Sequence, residues 1–104
     1  MEKKPVARRF AAPFDSDIPR NWLPAAPSVA ALLNTYTVLV PANEAFYMRT
    51  LNACLPLLRS PELRDASIAF IHQEAEHGVA HKRYCRNLDQ QGYRFRGFER
   101  LVEK

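Results

Sequence analysis

Glycine, cysteine and long unbroken apolar runs are all scarce in this 104-residue chain. It has 3 glycines, and neither a Gly-rich phosphate loop nor a Gly-x-Ser-x-Gly elbow can be drawn through them. The 2 cysteines, Cys54 and Cys85, form no Cys-x-x-Cys pair and no zinc-finger spacing. A disulfide scaffold is therefore not expected, and a reducing compartment is the default. The longest apolar run, Val29 to Val40, is too short and too interrupted by Asn34 and Thr35 to span a bilayer. The first residues are charged and broken by Pro5, without the apolar stretch of a signal peptide. These absences predict a soluble, cytoplasmic protein with no membrane partner. Internal repeats and low-complexity blocks are also missing.

The length allows one small domain. The net charge is +4, with a pI near 9.4. The excess is divided between the amino-terminal arm (Lys3, Lys4, Arg8, Arg9) and the carboxyl-terminal third (Lys82, Arg83, Arg86, Arg94, Arg96, Arg100). No nucleic-acid motif accompanies it, so nucleic acid is not the expected partner.

Proline is plentiful at the start. Pro5, Pro13, Pro19, Pro24 and Pro27 exclude regular helix from most of residues 1–27. Phe10, Phe14, Ile18, Trp22 and Leu23 in the same stretch are unlike a disordered tail. They predict an extended arm laid across helices, with Trp22 as its anchor. Ser28 is a candidate N-cap for a helix over 29–39, which Pro41 then breaks or kinks. A second helix is expected from Ala42 to Leu58, carrying Glu44, Tyr47, Met48, Leu51, Leu55 and Leu58 on one face. A third is expected to open at Ser60-Pro61-Glu62 and to end near Gln90, at Gly92. Gly78 inside it suggests a close approach by a neighbouring helix or a ligand. The tail, Tyr93 to Phe98, alternates aromatic and basic residues and reads as a short strand or an irregular segment. The expected division is an arm over 1–27, a helical domain over 28–92 and an irregular tail over 93–104.

All 3 histidines lie in the stretch Phe70 to His81. At about 100° per residue, His77 and His81 fall about 60° and 20° from Glu74 on a helical wheel. Phe70, Cys85 and Leu88 continue the same face, whereas His72 and Glu76 point elsewhere. Cys85 is therefore expected to be buried and reduced. A carboxylate and two imidazoles on an apolar stripe cost several kcal/mol if left unpaired. A divalent cation would satisfy all three, and Glu-x-x-His is the spacing by which ferritin-like bundles project ligands from one helix. The competing reading is hydrogen-bonded histidines at a helix or subunit interface. Glu44 heads its own apolar stripe; it is either a first-turn Glu stabilised by the helix dipole or a further ligand aimed at this site.

Three stretches resemble one family, the predicted metal-dependent hydrolases with a ferritin-like helical fold. Arg20-Asn21-Trp22-Leu23 resembles the arm before that family's first helix. Pro41-Ala42-Asn43-Glu44-Ala45-Phe46 is similar to its Pro-x-Gly-Glu-x-Phe segment, with Asn43 in place of the usual glycine. Phe70 to His81 matches its Phe-x-x-Gln-Glu-x-x-His-x-x-x-His signature. The resemblance implies an all-α, ferritin-like partial bundle of about three helices behind the Pro-rich arm. It also implies metal ligands at Glu44, Glu74, His77 and His81, and hydrolase activity. Members are usually well over twice this length, which implies a truncated copy, a fragment, or a short form that rebuilds the bundle from two chains.

Two functions follow. One is a hydrolase in which zinc, iron or manganese activates water against a substrate the sequence does not name. No catalytic residue is assigned, and Glu76 faces the wrong way to act as base. The other is a non-catalytic helical oligomerisation module whose Glu/His cluster is an interface hydrogen-bond network. A basic binder using Arg94, Arg96 and Arg100 is a third, weaker reading. The uncovered apolar stripes predict a homodimer.

Overall fold

The computed structural model describes residues 5–9, 11–14 and 17–102. Phe10, one of the aromatic residues assigned to the arm, lies outside them. The described chain is all-α: α1 (Pro27–Cys54), a 3-10 turn (Leu55–Leu57), α2 (Pro61–Gln90) and α3 (Arg96–Val102). There is no strand among the described residues.

The first two expected helices are fused into one, whereas the third is found as expected. Residues 29–39 and 42–58 do not form two helices; α1 runs unbroken through Pro41. Proline removes the N–H that would have bonded the carbonyl four residues earlier, that of Thr37. The thiol of Cys85 faces that carbonyl, with Sγ 3.9 Å from the oxygen. Val38 and Val40, between Thr37 and Pro41, are both buried. The N-cap is Ala26, with Pro27 at the first position, rather than Ser28. The far end tightens into the 3-10 turn around Pro56 before Leu58.

α2 follows the sequence signals at both ends. Ser60 Oγ accepts from Leu63 N at 3.2 Å, with Pro61 just inside the helix. At the other end Gly92 takes φ 88°, a left-handed conformation that glycine adopts without strain. Gly92 N–H then donates to Asp89 O and Tyr93 N–H to Leu88 O, both at 3.0 Å, which completes a Schellman cap. Beyond it, α3 replaces the expected strand or irregular tail. Tyr93 and Phe95 pack on the Val38, Cys85 and Leu88 cluster, while Phe98 faces outward. The alternating pattern thus holds over two aromatics only, and the helix begins where it stops.

α1 and α2 lie antiparallel, so that Asn34 meets Tyr84 and Glu44 meets His77. The core between them is thin: Ala30, Val38, Val40, Ala80, Cys85 and Leu88. The arm runs along α2 in the same direction as the helix. Gln73 exchanges two hydrogen bonds with the Arg8 backbone, at 2.7 and 3.2 Å. Farther on, Asn87 donates to Phe14 O and Gln91 to Ile18 O. Trp22 then crosses to α1, donating from Nε1 to Asn34 Oδ1 at 3.0 Å. Arg20 stacks over the Tyr93 ring, 4.7 Å from its centroid. No helix among the described residues is long and apolar enough to cross a membrane.

Candidate metal centre

The antiparallel pairing carries Glu44 of α1 to the middle of α2. With α1 beginning at Pro27, Glu44 lies deep inside the helix, beyond the reach of the N-terminal dipole. That removes the first-turn explanation for it. Its carboxylate is 3% exposed and fits over Gly78. A Cβ at position 78 would stand 3.0 Å from Glu44 Oε2, so the glycine makes room for the acid. The close approach expected at Gly78 is therefore a side chain of the neighbouring helix.

Glu44 Oε1 is 2.6 Å from His77 Nδ1. Oε2 has no donor among the described residues, and Oε1 has only this His77 contact, which is off ideal hydrogen-bond alignment. Such orphaned buried oxygens are rare in folded proteins and call for a partner. His77 Nε2 in turn lies 3.0 Å from His81 Nε2, one helical turn on, with the rings edge to face. His77 thus turns Nδ1 to the carboxylate and Nε2 to His81.

The electrostatics match this arrangement. Burial pushes the Glu44 carboxyl above its usual range; His77 opposes that and the charge of Glu74 adds to it. Burial, reinforced by the neighbouring His77, holds His81 below the ordinary imidazole value. His81 therefore keeps a lone pair at neutral pH, as a ligand must.

Of the four residues named from sequence, the fold brings together Glu44, His77 and His81. One ligand atom from each lies within 4.8 Å of the others. Ligands of one zinc ion, at about 2.0–2.2 Å each, span at most about 4.4 Å, so a small closure suffices. An orphaned carboxylate and two imidazoles are a donor set that fits a divalent cation. Glu74 is half-buried and outside this group of three; it acts on the site through its charge. His72 is exposed, and Glu76 is turned to Arg9, 3.4 Å away.

Sequence reasoning missed Asn34, which is 2% exposed. Its Oδ1 accepts from Trp22 Nε1 and from the Tyr84 hydroxyl at 2.8 Å, and its Nδ2 donates to Tyr93 at 3.5 Å. The sign was available: a lone amide on an apolar helix raises the same question as a lone acid. Between this hub and the imidazoles lies a cavity of 590 Å³.

No curated protein and no solved structure matches the chain significantly. One family model matches nearly all of it, over residues 6–104, and by that match the chain belongs to the family described as predicted metal-dependent hydrolases.

Proposed function

We propose that the chain holds one divalent ion, zinc, iron or manganese, on Glu44, His77 and His81 and uses it for hydrolysis. The observation that carries this reading is the buried Glu44 carboxylate, which has no near donor except His77 Nδ1 at Oε1 and sits beside two converging imidazoles. The rival reading, an interface hydrogen-bond network, would need a further donor for Glu44 Oε2. A bound divalent cation supplies an acidified water and a polarised carbonyl. The protein's own part is positional. Glu44 Oε1 fixes the His77 ring through Nδ1, and Gly78 lets the carboxylate sit flat against α2. Glu74 adds the negative charge that attracts a cation.

The reading includes a ferritin-like bundle made by two copies. Val29, Leu32, Leu33 and Tyr36 form an exposed apolar stripe along α1 at helical spacing. A two-fold pairing of two helical hairpins on that side makes a four-helix arrangement.

The test is hydrolysis of a panel of aryl esters by metal-free and metal-loaded protein, with the His77→Ala, His81→Ala and His72→Ala variants in parallel. Turnover that needs metal, His77 and His81 but not His72 is the expected result. Turnover indifferent to metal removal would refute the hydrolase reading.

A further inference from the structure

The cavity beside the imidazoles has a consistent chemistry. Its 590 Å³ falls within the range of small-molecule sites. Phe14, Ile18 and Trp22 of the arm line it with Leu33 of α1 and Ala80 of α2, and His77 and His81 are part of the same wall. No Lys, Arg, Asp or Glu lines it among the described residues.

The amides in the wall are already engaged elsewhere. Asn34 Oδ1 takes two donors, from Trp22 and Tyr84, and its Nδ2 turns to Tyr93. Gln73 spends its oxygen and its nitrogen on the Arg8 backbone. What these walls offer a ligand is mainly apolar contact. In the metal-free protein a charged group entering them would lose its hydration without gaining a counter-charge, which costs several kcal/mol.

We propose that this cavity takes the uncharged, apolar body of the substrate, an aliphatic or aryl carboxylic ester or amide, with its scissile carbonyl directed to His77 and His81. The inference rests on the hydrolase reading for its reacting end. In the reaction, water oxygen bonds to the carbonyl carbon and the C–O or C–N bond breaks. The leaving oxygen or nitrogen receives a proton from the water, and a carboxylic acid is released. The acid then ionises, and its alkyl or aryl body meets mainly apolar walls.

Trp22 is the only tryptophan of the chain and lines the cavity, so its fluorescence reports occupancy. The probes are octanamide, octanoate and octyl phosphate, titrated into metal-free protein. Octanamide is expected to give a saturable change, with the two anions at least about tenfold weaker. Leu33→Lys, at a side chain already 43% exposed, is expected to reverse that order between octanamide and octanoate while keeping the helical circular dichroism. Octanoate or octyl phosphate binding wild type as tightly as octanamide would overturn the proposal. So would the absence of a saturable response to octanamide. Zinc stoichiometry, measured separately, keeps the two readings apart. Zinc bound with octanamide refused leaves the metal centre standing and removes this inference. Octanamide bound with zinc refused removes the substrate role together with the hydrolase reading.

Discussion

Asn34 and Glu44 are both polar residues buried on the same face of α1, at 2% and 3% exposure, yet their surroundings differ. Around Asn34 every polar atom has a protein partner: Trp22, Tyr84 and Tyr93 close the shell. Around Glu44 the shell is open, since His77 Nδ1 reaches only Oε1 and no other donor among the described residues reaches the carboxylate. Equal burial thus hides two roles. A closed polar shell ties elements together, here the arm, both long helices and the segment before α3. An open one beside two imidazoles is unfinished until something binds.

The largest expected effect breaks the open shell. His77→Ala and His81→Ala should each lower zinc affinity by about 100-fold or more, because each removes one of few protein ligands. His72→Ala should leave it unchanged. Titration calorimetry reads the difference; equal affinity for His81→Ala and wild type would remove His81 from the centre.

The closed shell should respond in stability instead. Asn34→Ala leaves the buried ends of Tyr84 and Trp22 without their acceptor, a loss of about 2–4 kcal/mol. Thermal melts should show it in metal-free protein. Glu44→Gln should do the reverse: metal-free stability is kept or raised, since a desolvated acid is neutralised, and zinc affinity falls by about tenfold or more. A Glu44→Gln protein that melts as early as Asn34→Ala would mean that the acid is structural.

Gly78→Ala sharpens the contrast further. Alanine favours the helix over glycine by about 1 kcal/mol. Its Cβ, however, meets Glu44 Oε2 at 3.0 Å and must displace the carboxylate. Zinc affinity should fall several-fold while the metal-free melting temperature does not drop.

The smallest effect concerns pH. His81 titrates below the ordinary 6.5 because it is half-buried and next to His77. On acidification the unfolded chain takes up its proton first. Metal-free stability is therefore lost from about pH 6.5 down to the lower folded value, and this contribution is flat below it. Glu44, raised from 4.5, acts in the opposite sense, losing stability as pH rises from there. Denaturant melts of Glu44→Gln across pH 4 to 8 isolate the His81 slope; a flat profile there would contradict its burial.

Much of this contrast was legible in sequence, for identifiable reasons. Helical spacing put His77 and His81 together because both lie on α2, where one hundred degrees per residue decides the matter. Ser60, Pro61 and Gly92 marked the ends of α2 because caps are local chemistry. Cys85, expected to be buried, is 7% exposed. Glu44 was ambiguous, since its distance from His77 depends on the pairing of two helices, which spacing along one helix does not contain. The break expected at Pro41 failed for the same reason: the group facing the freed Thr37 carbonyl comes from Cys85, 48 residues away. Phe70 shares the wheel position of His77 but is 44% exposed, because that face of α2 looks outward at this level. Asn34 was read only as an interruption of an apolar run, although its partners Trp22, Tyr84 and Tyr93 all lie outside that run.

The most direct test of the central claim is the metal content of wild-type protein purified without chelator, read with its melting temperature before and after added zinc, manganese or iron(II). Binding to the folded chain alone must raise the melting temperature. The account predicts close to one ion per chain and a rise that Glu44→Gln and His81→Ala lose. Less than about a tenth of an ion per chain, with no rise for any of the three metals, would contradict it.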